Sequence, residues 1–262
     1  MTSTSQLEQQ LRTLRMAETA NRLPELITEA ERQDASYHAF LANLLNYEQK
    51  RREEKQIERY MKWAAFPYHK TLDEFDVREQ TTLSQKQLNQ LKELTWLDQL
   101  YNLILLGPPG VGKTHLSVAL GIEAIHQGYQ VSFLPMGELV HILKTTEIIR
   151  KSQVRKRRII KSDLVIIDDL MYMAMNQHEA NLFFQLVNEL YDQSTLIFTS
   201  NKGPNEWGDL LGDPGITTAI LDRVLHRAEV INIDEPSYRM KYRKSIFDEE
   251  TVTPKQAKSV QN

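Results

Sequence analysis

The spacing of apolar residues divides the chain into two parts. From Gln6 to about Trp63 the apolar residues recur every three or four positions, which is typical of helices that bury one face. Two such stripes are evident: Leu7, Leu11 and Leu14, then Phe40, Leu41, Leu44 and Leu45. We therefore predict a few short helices in this part.

Possible helix ends can also be read from this part. Pro24 and the stretch Asp34 to Ser36 are expected to break or cap helices, and the last helix is expected to continue through the charged run Lys50 to Lys55. The pair Phe66-Pro67 ends the pattern, because the residue before a proline is biased away from the helical conformation.

After residue 67 short apolar runs alternate with helical patterns, which is typical of a parallel sheet with crossover helices. The patterns Thr114 to His126 and Ala180 to Tyr191 predict two of these helices. In the second, one apolar face carries Leu182, Phe183, Leu186, Val187 and Leu190. The expected strands are Asn102 to Leu106, Gln130 to Leu134, Leu164 to Ile167, Thr195 to Thr199 and Val230 to Ile233.

These patterns predict three regions. Residues 1–66 would form a small helical domain that binds a partner, residues 67–248 an α/β domain, and residues 249–262 a disordered tail, because the tail is polar and lacks apolar periodicity.

Composition narrows the class of protein. The 262 residues are 41% hydrophobic, enough for one sizeable core and a smaller appended domain. The formal net charge is -3, so a nucleic-acid partner would require a local basic patch. The chain has no cysteine, no pattern of a signal peptide and no long apolar run, and we therefore expect a soluble cytoplasmic protein without a membrane partner.

A phosphate-binding loop is predicted between the first strand and the helix that follows. Its sequence matches G-x-x-x-x-G-K-[ST], in which the backbone N–H groups surround phosphate oxygens, Lys113 adds a positive charge and the Thr114 hydroxyl ligates Mg²⁺. The loop comprises Gly107, Pro108, Pro109, Gly110, Val111, Gly112, Lys113 and Thr114. The predicted cofactors are ATP and Mg²⁺.

Polar residues at two other strand ends complete the predicted site. Asp168 is expected to hold Mg²⁺, and Asp169 to orient or activate the water that attacks the γ-phosphate. Asn201 follows the fourth predicted strand, where its amide could hold this water; a simple turn asparagine is the alternative. The predicted activity is ATP hydrolysis.

With these motifs the chain resembles the AAA+ ATPases, and within them the clade of IstB-like transposition ATPases and DnaC-type helicase loaders. The resemblance covers roughly Lys70 to Phe247. It implies a five-stranded parallel sheet flanked by helices. The motifs closest to IstB-like proteins are the loop continued by His115-Leu116, Thr199-Ser200-Asn201, Glu206-Trp207-Gly208, Gly212-Asp213-Pro214, Leu221-Asp222-Arg223 and Glu235-Pro236-Ser237-Tyr238-Arg239.

The resemblance also assigns roles to single residues. It implies that Asn201 senses the γ-phosphate, that Arg223 is an arginine finger in a neighbouring subunit's site, and that His115 and Arg239 belong to the nucleotide site, Arg239 as a second sensor. A surface ion pair with Asp222 or Glu229 is the alternative for Arg223. Two features depart from the family: Asp169 stands where many relatives have Glu, which predicts slow hydrolysis, and little sequence follows Arg239 to form the usual helical lid.

A basic run between the second and third strands predicts contact with duplex DNA that is largely independent of base sequence. The clade inserts a helix there that lines a DNA channel in the oligomer. The run contains Lys144, Arg150, Lys151, Arg155, Lys156, Arg157, Arg158 and Lys161. A solvated helix face is the alternative.

The resulting hypothesis is an ATP-dependent assembly factor that oligomerises on DNA, with ATP at the subunit interfaces, and recruits or stimulates a transposase. The alternative partner is a replicative helicase. A small-metabolite kinase lacks a predicted acceptor pocket, whereas a module that binds ATP without hydrolysis stays open.

Overall fold

The computed structural model describes residues 3–75, 82–172, 174–208, 212–234 and 237–238. Arg239 and the predicted tail from residue 249 lie outside the described residues. The helices are α1 (Thr4–Thr13), α2 (Ala17–Arg32), α3 (Tyr37–Ala64), α4 (Gln85–Lys92), α5 (Thr95–Asp98), α6 (Lys113–His126), α7 (Met136–Thr145), α8 (Arg150–Ile160), α9 (Gln177–Leu190) and α10 (Pro214–Leu225).

The strands form one parallel sheet in the order β2-β3-β4-β1-β5. They are β1 (Asn102–Leu106), β2 (Val131–Pro135), β3 (Leu164–Asp168), β4 (Thr195–Ser200) and β5 (Ala228–Asn232). All five predicted strands are confirmed, with ends shifted by at most two residues. The shift is largest in β5, whose Ala228 pairs with Asn102 although Val230 is the first strongly apolar residue.

The two faces of the sheet are covered by different helices. Alternate residues of β1 point to opposite faces, so Leu103 and Leu105 pack with α6, whereas Ile104 packs with α7, α9 and α10. In α9 the predicted apolar face is confirmed, with Phe183 and Leu186 fully buried. This two-sided burial explains why β1 and β3 are nearly continuous apolar runs, whereas the edge strand β5 is mostly exposed.

The predicted helix break at Pro24 is wrong. Pro24 lies inside α2, which continues to Arg32. A proline removes one backbone hydrogen bond from a helix interior, but α2 buries Ala20 and Leu23 against its neighbours, and this packing outweighs the loss. The predicted end before the next helix is confirmed, since the Ser36 side chain accepts a hydrogen bond from the N–H of Ala39 and caps α3.

Helix α3 connects the helical region to the sheet. Its 28 residues form one continuous helix, about 42 Å long at 1.5 Å per residue. Near its middle, the buried Glu48 carboxylate accepts hydrogen bonds from the backbone N–H and hydroxyl of Thr19 in α2. Near its end, Tyr60 and Ala64 are buried in the core beneath the sheet, and Ala65 ends the helix in the left-handed conformation. The domain limit at residue 66 stays a prediction.

Among the described residues, none of the helices combines the length and the apolar character that crossing a bilayer requires.

Candidate nucleotide site and basic insertion

The loop between β1 and α6 depends on glycines at defined positions. A Cβ atom on Gly107 would lie 2.1 Å from the carbonyl oxygen of Ile233, so only glycine fits beside the chain that follows β5. Gly112 has a φ of 101°, which places it in the left-handed region at the start of α6. Val111 is buried and fixes the loop to the core. The backbone N–H groups at the start of α6 thus face the loop, as in an anion-binding helix N-terminus.

The Lys113 amino group lies inside this loop. Its Nζ donates hydrogen bonds to the carbonyl oxygens of Gly107 and Pro108, at 2.7 and 2.9 Å. The residue is only 9% exposed. A fixed positive charge surrounded by loop backbone can bind phosphate oxygens with little loss of side-chain entropy.

Asp168 and Thr114 meet at the end of β3. The Thr114 hydroxyl donates to Asp168 Oδ1 at 2.9 Å. Burial raises the pKa of the Asp168 carboxyl, although hydrogen bonds from Thr199 and Thr114 act in the opposite direction. A half-buried carboxylate beside a hydroxyl is a set of hard oxygen ligands that suits Mg²⁺, which would also compensate the buried negative charge.

Thr199 is a residue of the site that the sequence analysis named within a motif without assigning it a role. Its hydroxyl donates to Asp168 Oδ1 at 2.6 Å and accepts a hydrogen bond from the backbone N–H of Asp169 at 2.8 Å. Asp169 is exposed and adopts the left-handed conformation, with a φ of 58°. The sequence signal that could have pointed to Thr199 is its polar side chain within the largely apolar strand β4. The structure shows that this side chain is buried.

Asn201 lies at the same edge of the sheet. Strand β4 stands between β1 and β3, and Ser200 pairs with Leu106, the last residue before the loop. Asn201, one residue further, is exposed. The sheet order therefore places the end of β4, which Asn201 follows, between the ends of β1 and β3, and the role of Asn201 stays a prediction.

His115 packs against the segment that precedes the sheet. Its Nε2 lies 3.3 Å from the carbonyl oxygen of Thr71, and its ring is 5.3 Å from that of Phe75, edge to face. Burial lowers the pKa of His115. The residue thus joins the start of α6 to residues 71–75.

Arg223 lies far from the loop of its own chain. It occupies the last turn of α10, where Nε donates to Asn188 Oδ1 at 3.1 Å and Nη1 to the carbonyl oxygen of Ala219 at 2.9 Å. The Asn102 side chain donates to the Val224 carbonyl, so this end of α10 lies at the amino end of β1. The loop follows the carboxyl end of β1, roughly 13 Å or more away for four residue steps.

The basic run does not form one uniform surface. Lys144 pairs with the buried Glu179 at 2.8 Å and Lys156 with Glu189 at 3.4 Å. Arg158 lies over the Trp63 ring. The exposed members are Lys144, whose amino group is paired, and Arg150, Lys151, Arg157 and Lys161. Positions 150 and 157 of α8 and position 161, directly after its end, fall close together around the helix axis, which gives one exposed basic stripe.

Arg155 faces the interior instead. Its guanidinium donates to three backbone carbonyl oxygens: those of Trp63 and Ala64, at 2.6 and 3.4 Å, and that of Phe133, at 2.8 Å. Partial burial removes water from this guanidinium and lowers its pKa. The structure therefore separates Arg155 from the exposed stripe with which the sequence had grouped it.

Comparison with known proteins assigns the chain to a family. The model of the family "IstB-like ATP binding protein" matches residues 9–246. An insertion sequence IS21 ATP-binding protein of Pseudomonas aeruginosa is 37% identical over 236 residues, covering 90% of this chain and 89% of that protein. An IS21-like ATP-binding protein of Bacteroides fragilis is 35% identical, with 94% of each chain covered.

Solved structures support the fold. AMPPCP-bound DnaA of Aquifex aeolicus superposes with a TM-score of 0.52 at 22% identity, covering 64% of this chain and 51% of that one. A DnaI structure gives a TM-score of 0.52 at 21% identity, covering 64% of this chain and 90% of that one. At these identities the likeness shows the AAA+ P-loop fold and nothing finer.

Proposed function

Since the chain belongs to the family of IstB-like ATP binding proteins, we propose that it is a Mg²⁺-dependent ATPase that assembles on duplex DNA and recruits or stimulates a transposase. The observation that carries the proposal is the contact of Thr114 with Asp168 beside the Lys113 loop. The names of the relatives, which are insertion-sequence proteins, support a role in transposition.

Different residues of the site have different roles in ATP hydrolysis. The loop and Lys113 hold the phosphates, and Thr114 and Asp168 hold the metal ion, which when bound draws charge from the phosphate oxygens. The Asp169 carboxylate, exposed at the edge of the site, orients the attacking water and accepts its proton as the bond to the γ-phosphorus forms and the bond to ADP breaks. Asn201 holds the same water through its amide.

A neighbouring subunit supplies a further positive charge near the γ-phosphate. Because Arg223 lies at the amino end of β1, its guanidinium is available only to the site of a neighbouring subunit. An arginine there would stabilise charge on the γ-phosphate. ATP then sits at the interface of a homo-oligomer.

The nucleotide site is tested by isothermal titration calorimetry with Mg·ATP. Lys113→Ala should abolish most of the affinity, whereas Lys92→Ala, an exposed lysine of α4, should leave it unchanged. Equal affinity of both variants would remove Lys113 from the site.

The partner is tested by co-precipitation with a purified transposase and a replicative helicase, each with ATP and duplex DNA. Capture of the transposase supports the proposal. Capture of the helicase alone would identify a helicase loader instead.

A further inference from the structure

Two basic side chains of α8 pack against the end of α3 and are only partly exposed. Arg155 binds the carbonyl oxygens of Trp63 and Ala64, and Arg158, one turn further, lies 5.2 Å from the Trp63 ring centroid. Residues three positions apart share a helix face, so one side of α8 faces α3, and the exposed basic stripe lies roughly 110° further around the helix.

The contact of Arg155 is specific for a guanidinium. Its donors satisfy carbonyl groups at the C-terminus of α3, which have no partner within the helix, and at the same time the Phe133 carbonyl of β2. The helix C-terminus also carries partial negative charge, which favours a cation. A lysine has one nitrogen and cannot span the three oxygens in this way.

Helix α3 extends this connection away from the sheet. It is continuous from Ala64 back to Tyr37, and near its middle Glu48 holds α2 through Thr19. A change at the C-terminal end of α3 is therefore carried along one helix to the helical region.

We propose that Arg155 couples the DNA-facing insertion helix α8 to α3, so that duplex bound to the exposed stripe of α8 stabilises the C-terminal end of α3. The proposal rests on DNA binding by α8, which is part of the proposed function. Arg155 is a positioning residue here and makes no contact with phosphate.

The test measures hydrogen exchange of the backbone amides of residues 60–66 with and without a saturating mixed-sequence duplex. If opening of this end requires release of α8, DNA at about 100 times its Kd should slow the exchange of these amides up to about a hundredfold. Arg155→Ala should abolish this DNA-dependent slowing. Arg157→Ala, on the exposed stripe, should keep it once DNA is again saturating.

A second measurement separates coupling from phosphate contact. In fluorescence anisotropy over a salt series, Arg157→Ala should reduce the slope of log affinity against log salt by about one unit, whereas Arg155→Ala should leave it unchanged. Should Arg155→Ala fail to fold, as judged by Mg·ATP binding, Arg155→Lys replaces it and should show a reduced DNA-dependent slowing.

The outcomes separate the two proposals. If the parental protein binds no duplex, both fail. If it binds duplex but the α3 amides do not respond, or respond equally in Arg155→Ala, the coupling alone is overturned. A reduced salt slope in Arg155→Ala would make Arg155 a phosphate contact and overturn the coupling as well.

Discussion

The hydroxyl of Thr199 contacts both members of the acidic pair, Asp168 and Asp169. It donates to Asp168 and accepts from the N–H of Asp169, whose left-handed conformation is unfavourable for a residue with a side chain. We expect Thr199→Val to lower the free energy of unfolding by about 1–2 kcal/mol, because the buried carboxylate and this N–H lose a partner. Turnover should fall as well.

Thr199→Ser is the matched control because it keeps the hydroxyl. Urea denaturation and steady-state ATP turnover measure the two effects. Equal stability of the valine and serine variants would show that the hydroxyl does not hold the pair together.

The proposed water-activating role of Asp169 gives a second prediction. Asp169→Asn should retain Mg·ATP affinity and lose at least about tenfold in turnover, because it removes the proton acceptor and leaves the phosphate loop intact. Asp169→Glu keeps a carboxylate on a side chain one methylene longer and should preserve or raise turnover. Parental turnover in the asparagine variant would assign the water to another group, with Asn201 the nearest candidate by sheet order.

At the scale of elements, the strands could be predicted because burial on both faces leaves nearly uninterrupted apolar runs, as in Leu164 to Ile167. The loop could be predicted because its glycines and lysine have fixed spacing. The continuation of α2 through Pro24 could not be predicted, because packing against other helices overrides the helix-breaking tendency of proline.

The division of the basic run into exposed and protein-facing residues also could not be predicted from the sequence. A count of charges in Arg150 to Lys161 does not tell which side of a helix faces protein. The burial of Arg155 depends on carbonyl groups about 90 positions earlier, at Trp63 and Ala64, and on Phe133. Thr199 was missed for the same reason, since its partners belong to another strand.

The exposed stripe and the two lysines that form ion pairs predict different effects on DNA binding. Replacing Arg150, Arg157 and Lys161 by glutamine should reduce the salt slope of duplex affinity by up to about three units, because each exposed cation that meets a phosphate releases about one counterion. Replacing Lys144 and Lys156, which pair with Glu179 and Glu189, should change the slope less. Fluorescence anisotropy measures both; equal slopes for the triple variant and the parent would leave the stripe as a solvated face.

At the scale of the whole molecule, the phosphate loop and Arg223 lie at opposite edges of one sheet. A head-to-tail oligomer would bring the arginine of one subunit to the loop of the next. Arg223→Ala should therefore bind ATP and lack turnover, whereas Lys113→Ala should lack ATP binding. Arg227→Ala, which removes an exposed arginine beyond α10, is the control and should remain active.

Mixing the two inactive variants tests whether Arg223 acts between subunits. In an equal random mixture about one quarter of the interfaces join the intact loop of an Arg223→Ala subunit to the intact arginine of a Lys113→Ala neighbour, so turnover should return to at most about a quarter of the parental value. Light scattering must first show that the mixture assembles on DNA, because a subunit without nucleotide can be excluded from the oligomer. A mixture that assembles and shows no turnover would contradict the intersubunit role, and Arg223 would then be a structural residue that holds α10 to α9 through Asn188.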